Sequence, residues 1–280
     1  MTIHAISGLG ALAHAADAFL IDQFGTIHDG EAPYEGAIET LRSLRAAGKR
    51  VILLSNSGRR AANNIHRLAA MGIATDCFDA SLCSGEVAWQ VLRAAPPAYL
   101  RHRCRVLLFA RDPALDILEG FDIARVETAE EADLVMIAGS ETDRHGYDAL
   151  WSRMAPAAAR GVPAICTNPD RLMLAGGRLH PGAGALAEAY QAAGGTVRWF
   201  GKPHADVYDA ALSLLPGVSS ARIFGVGDSL EHDIVGAIAA GCRGILVRTG
   251  IIGGLDDAAL RVEMRRFSAL PDAVAPRFAI

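Results

Sequence analysis

Residues 18–26 read AFLIDQFGT, which is a run of four apolar residues followed at once by Asp22 and then by turn-forming residues. A short apolar run bounded by turn residues is typical of a buried strand in a parallel sheet. Ligands of such sheets bind beyond the carboxyl ends of the strands, which is where this strand would place Asp22. The stretch therefore predicts an α/β fold and a carboxylate available for chemistry.

Apolar strand-type runs alternate with amphipathic helix-type segments after this stretch. Residues 35–47 and 60–71 show helix-type spacing, and the run from Arg50 to Leu54 between them is strand-like. Gly48 and Gly72 follow the two helix-type segments, where glycine often ends a helix in a left-handed conformation. The alternation predicts βαβ crossovers and therefore a doubly wound parallel sheet with helices on its faces.

The chain contains more strand-type runs than one compact sheet needs. The further runs lie at residues 105–109, 134–138, 162–166, 223–226 and 244–247. The middle of the chain has its own β and α units, so we interpret it as an inserted α/β domain. The prediction is a core domain at residues 1–85 and 195–280 and an inserted domain at residues 86–194, which the chain enters after Ser84 and leaves near Val197.

Composition narrows the class of partner. The chain has 280 residues, 51% of them hydrophobic, and a formal net charge of -4 without long like-charge blocks, which argues against nucleic acid and anionic membrane as partners. No window of about 18 uncharged apolar residues predicts a membrane span. The five cysteines are scattered without a CxxC pair, which indicates buried thiols in a reducing compartment, the cytoplasm. We expect a small-molecule ligand and leave a homodimer open.

Polar groups with complementary chemistry follow four of the predicted strands. Ser55-Asn56-Ser57 offers hydroxyl and amide groups that hold phosphate oxygens, and Lys202 between Gly201 and Pro203 offers a cation. Asp228 and Asp233, spaced five apart after another strand, are carboxylates of the kind that Mg²⁺ prefers. Each feature has a structural alternative: a turn or helix cap for Asp22 and for Ser55–Ser57, and an exposed surface side chain for Lys202.

Taken in order, these motifs resemble those of a known superfamily. The segments DQFGT (22–26), SNS (55–57), GKP (201–203) and GDSLEHD (227–233) resemble the four motifs of the haloacid dehalogenase (HAD) superfamily. The segments TNPD (167–170) and PGAGA (181–185), together with an insert between the second and third motifs, resemble the NagD-like phosphatases of subfamily IIA. This resemblance implies a Rossmann-like core and a C2-type cap domain.

The resemblance also implies an activity, namely a Mg²⁺-dependent phosphatase that acts on a small phosphorylated metabolite. Asp22 would form an aspartyl-phosphate, and Lys202 would act with it as a catalytic residue. The other roles implied are Mg²⁺ binding by Asp22, the backbone carbonyl of Phe24, Asp228 and Asp233; phosphate binding by Ser55, Asn56 and Lys202; and substrate selection by Asn168 and Asp170.

Phe24 departs from the family pattern. Phosphatases of the superfamily carry a second Asp there, which protonates the leaving oxygen and later activates water, and a phenyl ring has no proton to give. General acid-base assistance is worth about 10²–10⁴-fold, so we expect slow turnover that favours activated phosphates, or a phospholigand-binding or regulatory protein with little hydrolysis. His28 and Asp29 lie close enough in sequence to replace the missing acid, although both residue types are also typical of turns.

Overall fold

The computed structural model describes residues 4–100, 102–111 and 116–280. The chain divides into two compact units. The first unit comprises residues up to Ser55, Ala62–Leu82 and Lys202–Ile280, and the second comprises Asn56–Ala61 and Cys83–Gly201. Among the residues described, no helix combines the length and apolar character that a membrane span requires, and all five cysteines are buried thiols.

The strands and helices follow the predicted alternation. The strands are β1 (Ala18–Asp22), β2 (Arg50–Ser55), β3 (Ala80–Cys83), β4 (Cys104–Phe109), β5 (Ile123–Val126), β6 (Leu134–Ile137), β7 (Ala164–Cys166), β8 (Leu172–Ala175), β9 (Arg178–Pro181), β10 (Val197–Trp199), β11 (Ile223–Gly227), β12 (Arg243–Val247) and β13 (Ala273–Ala275). The α-helices are α1 (Ala37–Ala46), α2 (Ala61–Ala70), α3 (Ser84–Ala94), α4 (Thr142–His145), α5 (Tyr147–Ala159), α6 (Ala183–Ala192), α7 (Ala205–Ser213), α8 (Val235–Ala239) and α9 (Asp257–Arg266).

The first unit is built on a six-stranded sheet with the order β13-β12-β11-β1-β2-β3. Strand β1 lies between β11 and β2 and runs parallel to both, so the carboxyl ends of the three strands lie side by side. All five residues of β1 are buried, which is why its sequence reads as an apolar run. The phenyl rings of Phe19 and Phe224 pack across β1 and β11, with centroids 6.1 Å apart.

The helices of the first unit obey the expected local rules. In α1 the buried residues Ala37, Leu41 and Leu44 recur at helical spacing, so one face of the helix packs on the sheet. Gly48 and Gly72 adopt φ angles of 75° and 84°, which are the left-handed helix ends that the sequence predicts.

The second unit contains its own five-stranded parallel sheet, with the order β10-β7-β6-β4-β5. A separate antiparallel hairpin of β8 and β9 turns at Gly176-Gly177, where both φ angles are positive, as a two-residue hairpin turn demands. Strand β10 pairs with β7, so the second unit continues to Gly201 rather than ending at Gly194. The predicted α/β fold class with an additional sheet domain is confirmed, while the function of this unit as a cap stays a prediction.

Candidate active site

Asp22 is the last residue of β1, where the strand delivers its side chain to the carboxyl edge of the sheet. Its Oδ1 atom accepts a hydrogen bond from Lys202 Nζ at 2.5 Å, and its Oδ2 atom accepts one from the Thr26 hydroxyl at 3.2 Å. The side chain is only 11% exposed. This burial argues against an exposed turn residue, while the catalytic role of Asp22 stays a prediction.

Three carboxylates converge at this edge. Asp22, Asp228 and Asp233 each offer a ligand oxygen, and these oxygens all lie within 4.8 Å of one another. The convergence follows from topology, because β1 and β11 are parallel neighbours and Asp228 comes directly after β11. Three closely spaced carboxylate oxygens are a donor set that suits a hard divalent cation such as Mg²⁺.

Lys202 is buried, with 3% of its side chain exposed, and its ammonium group bridges two of these acids. The Nζ atom lies 2.5 Å from Asp22 Oδ1 and 2.6 Å from Asp233 Oδ1. Burial alone would lower the pKa of Lys202, but the two carboxylates outweigh it and raise the pKa, so the ammonium stays charged. Three acids facing one base leave a formal charge of -2 when all are ionised, which a divalent cation would balance.

Burial and the neighbouring acids together shift the pKa values of Asp22 and Asp228. Burial raises the pKa of Asp22 to about 7; Lys202 opposes this shift, whereas Asp233 adds to it. Burial together with the charges of Asp22 and Asp233 raises the pKa of Asp228 well above its usual range. In the absence of a cation, Asp22 and Asp228 therefore hold protons in the folded state at pH values where the unfolded chain has released them.

We expect the metal-free protein to lose stability as the pH rises from about 4 to about 7. The folded pKa of Asp22 lies above the unfolded value of 3.8, so the folded state binds more protons across this window. The free energy of unfolding should fall by up to about 1.4 kcal/mol per pH unit from this group. Urea unfolding in EDTA at pH 5 and pH 7 measures the slope, and an equal slope in Asp22→Asn would contradict the assignment.

Asp233 is positioned by a π-helical turn over Leu230–Ile234 that precedes α8. The Ser229 N–H donates to Asp233 Oδ2 at 3.1 Å, and the buried Tyr208 hydroxyl lies 3.3 Å from the Asp233 carbonyl oxygen. A Cβ at Gly236 would overlap the Tyr208 ring, so the glycine permits this packing. Single π-turns of this kind are frequent at functional sites.

Asp228 is held by groups that the sequence did not single out. The Ile251 N–H donates to Asp228 Oδ2 at 2.6 Å. Gly25 and Gly250 both approach this carboxylate so closely that a Cβ at either position would overlap it. The Thr249 hydroxyl donates to the Gly25 carbonyl at 2.5 Å and joins the two loops. Gly25 and Gly250, in the loops that follow β1 and β12, are the sequence signal of this arrangement.

Phe24 is 38% exposed, and its ring packs edge-on against His28 with centroids 6.0 Å apart. His28 Nδ1 accepts a hydrogen bond from the Gly30 N–H at 3.0 Å. Burial, reinforced by Arg67, lowers the pKa of His28 to about 4, so the imidazole is neutral at pH 7. Asp29 Oδ1 accepts hydrogen bonds from two following backbone N–H groups. His28 and Asp29 thus act as turn residues, and their replacement of the missing acid stays a prediction.

The remaining predicted residues fall in both units. Ser55 ends β2 in the first unit, one residue after Leu54, which is the register partner of Asp22. Asn56 belongs to the second unit, where its Nδ2 atom donates to Asp170 Oδ1 at 2.8 Å. Asn168 Oδ1 accepts a hydrogen bond from the Asp170 N–H at 3.1 Å. The two residues predicted to select substrate therefore make hydrogen bonds within their own unit.

Comparison with known proteins supplies independent evidence. The family described as Haloacid dehalogenase-like hydrolase matches residues 19–124, and the one described as HAD-hydrolase-like matches residues 199–279. The chain is 32% identical over 244 residues to the sugar-phosphatase AraL of Bacillus subtilis, covering 82% of each chain.

Two solved structures are similar over most of the chain. A haloacid dehalogenase-like hydrolase from Brucella suis 1330 superposes with a TM-score of 0.82 at 28% identity, covering 98% of this chain and 100% of that one. A glycerol phosphate phosphatase from Mycobacterium tuberculosis in complex with magnesium superposes with a TM-score of 0.66 at 27% identity, covering 86% and 70% of the two chains.

Proposed function

The chain belongs to the haloacid dehalogenase-like hydrolases, and we propose that it is a Mg²⁺-dependent phosphomonoester hydrolase of the NagD-like group, acting on a small phosphorylated metabolite. The observation that carries this proposal is the buried cluster in which Lys202 bridges Asp22 and Asp233 beside Asp228. A buried nucleophile with one fixed cation and two further acids suits phosphoryl transfer, which depends on positioning and charge neutralisation.

In the proposed reaction an Asp22 carboxylate oxygen bonds to phosphorus while the bond from phosphorus to the ester oxygen breaks. Lys202 offsets the negative charge of the nucleophile and of the phosphoryl oxygens, and Ser55 and Asn56 bind those oxygens. Water then cleaves the aspartyl-phosphate, which releases inorganic phosphate and restores the carboxylate. Both steps are phosphoryl transfers, so they depend on how the nucleophile and the phosphate-binding groups are oriented.

The donor set fits Mg²⁺, which Asp22, Asp228 and the backbone carbonyl of Phe24 would hold, with Asp233 supporting the site. The fit rests on the three convergent carboxylates and on the charge that Lys202 alone leaves unbalanced. When bound, Mg²⁺ supplies electrophilic neutralisation of phosphoryl charge. The magnesium complex of the similar glycerol phosphate phosphatase supports this choice of cation.

Phe24 limits the substrates that such a site turns over well. Its phenyl ring cannot protonate a leaving oxygen, so esters of strongly basic alcohols should react slowly and activated phosphates should react faster. The second candidate function is that of a phospholigand-binding or regulatory protein, in which the same site binds a phosphate group but hydrolyses no ester at a measurable rate. The observation that favours this second function is the apolar Phe24 side chain two residues after the nucleophile.

Turnover and binding distinguish the two functions. We expect hydrolysis of p-nitrophenyl phosphate and of acetyl phosphate in Mg²⁺ and none in EDTA, measured as phosphate release. We also expect Mg²⁺ to raise the midpoint of thermal unfolding in wild type but not in Asp228→Asn, because only the folded site binds the ion. Saturable binding of inorganic phosphate without turnover of either probe would support the binding function instead.

A further inference from the structure

Residues 56–61 follow β2 in the chain and belong to the second unit. Hydrogen bonds to other residues of that unit hold this segment along its length. At the start of the segment, Asn56 Nδ2 donates to Asp170 Oδ1 at 2.8 Å. In the middle, the Gly85 N–H donates to the Ser57 carbonyl at 3.0 Å. This segment carries Asn56, to which the proposed function assigns phosphate oxygens, so its position depends on residues of the second unit.

The end of the segment is held by a partly buried ion pair. Glu86 Oε2 accepts a hydrogen bond from Arg60 Nε at 2.7 Å and another from the Ala61 N–H at 3.1 Å, where α2 begins. The Arg60 guanidinium also lies 3.7 Å from the centroid of the Trp89 ring. A carboxylate at a helix N-terminus is favourable, so the chain enters α2 from a fixed point.

Glycines let the backbone pack closely around Asn56. A Cβ at Gly201 would lie 2.8 Å from Asn56 Oδ1, and a Cβ at Gly58 would overlap the Ala138 carbonyl. Both ends of the Asn56 amide therefore have neighbours: Oδ1 faces Gly201, and Nδ2 donates to Asp170. An amide packed on both sides has little freedom to rotate.

Asp170 is itself fixed by its backbone. Its N–H donates to Asn168 Oδ1 at 3.1 Å, and its carbonyl accepts from the Gly184 N–H at 2.9 Å, at the start of α6. A Cβ at Gly182 or Gly184 would overlap the backbone of Pro169 or Asp170. The backbone that carries the Asp170 carboxylate is thus fixed by hydrogen bonds and by close packing.

We infer that Asp170 is a positioning residue, which acts on phosphate binding through Asn56 rather than by touching the variable part of the substrate. The inference rests on the proposed function, because it takes Asn56 as a phosphate ligand. A residue that acts through a phosphate ligand affects every phosphate ester equally, whereas a residue that contacts the leaving group changes the preference between esters. The two roles therefore differ in a measurable ratio.

The test compares Asp170→Ala, Asn56→Ala and the double variant in Mg²⁺. We expect Asp170→Ala to raise the KM for p-nitrophenyl phosphate, the KM for acetyl phosphate and the Kd for inorganic phosphate by the same factor, about tenfold, as for a lost charge-assisted hydrogen bond. The double variant should be no weaker than Asn56→Ala, because the effect passes through Asn56. Asp170→Asn keeps an acceptor oxygen and should lose less, about threefold.

Asp133→Ala is the matched control, since it removes the same kind of carboxylate from the second unit, where Asp133 pairs with Arg105 at 2.7 Å. Its KM values should match those of wild type. A changed ratio of KM between p-nitrophenyl phosphate and acetyl phosphate with an unchanged Kd for phosphate, or additive losses in the double variant, would overturn the inference. If Asp170→Ala does not fold, Asp170→Asn gives the same ratio. A wild type that neither hydrolyses an ester nor binds phosphate would overturn the proposed function, and this inference with it.

Discussion

Asp22→Asn is expected to reduce phosphate release by roughly 10⁴–10⁶-fold, the range typical of losing a covalent nucleophile. An amide oxygen is a poor nucleophile, and the Asn side chain cannot accept hydrogen bonds through both terminal atoms, as Asp22 does from Lys202 and Thr26. The variant should fold, because it removes one of three crowded carboxylates. Steady-state release of phosphate from p-nitrophenyl phosphate measures the loss.

Asp17→Asn is the matched control for this change. Asp17 immediately precedes β1, at the opposite end of the strand from Asp22, and forms an exposed ion pair with Arg222 at 2.5 Å. Exposed ion pairs contribute little to the free energy of unfolding, so Asp17→Asn should fold as wild type does. Its activity should therefore equal that of wild type. Equal losses in the two variants would point to damage to the strand. Substantial turnover by a folded Asp22→Asn protein would exclude Asp22 as the nucleophile.

The sequence predicts the strands of the first unit best where they are buried on both faces. Strands β1, β2, β11 and β12 lie inside the sheet, and their residues form continuous apolar runs with clear turn signals. Strand β13 is only the tripeptide Ala273–Ala275, which has no strand-like pattern of its own and pairs with β12 through tertiary packing. The sequence therefore predicts strands that are long and buried, but it does not predict short strands at the edge of the sheet.

In the second unit, the sequence predicts the buried strands β4, β6 and β7 but not the exposed strands β8 and β9. The hairpin of β8 and β9 leaves Leu172, Leu174 and Leu179 exposed. Its apolar residues therefore do not mark a buried face, which is the pattern from which a strand is predicted. Strand β10 falls within residues 195–280, which the sequence places in the core domain, because the local pattern gives no sign of its partner β7. Pairing of distant strands depends on tertiary context that local pattern does not contain.

The resemblance to the HAD superfamily, which four short motifs carry in a fixed order, is confirmed, and so is the resemblance to its NagD-like group. The sequence could locate Asp22, Asp228 and Lys202 because side-chain chemistry at strand ends is visible in the letters. It could not locate the Ile251 N–H, since any residue except proline supplies such a donor. The sequence could not locate Tyr208 either, because its hydroxyl contacts the π-helical turn only through the packing of α7.

Phe24→Asp is expected to raise kcat for an alkyl ester such as ethyl phosphate by about 10²-fold, the lower end of the range for general acid-base assistance. Phe24 is 38% exposed, so a carboxyl group there stays solvated and costs little in stability. Acetyl phosphate, whose leaving group needs no proton, should show little change.

Phe24→Asn separates acid-base chemistry from removal of the ring. Both variants lose the contact of the ring with His28 and its approach to Gly30, and their side chains have nearly the same shape. Only Asp can donate a proton to the leaving oxygen and later accept one from water. A gain with Asp alone, confined to ethyl phosphate, therefore identifies the missing proton as the cause of slow turnover. An equal gain in both variants would mean that the ring obstructs the site, and no gain in either would mean that Phe24 does not set the rate.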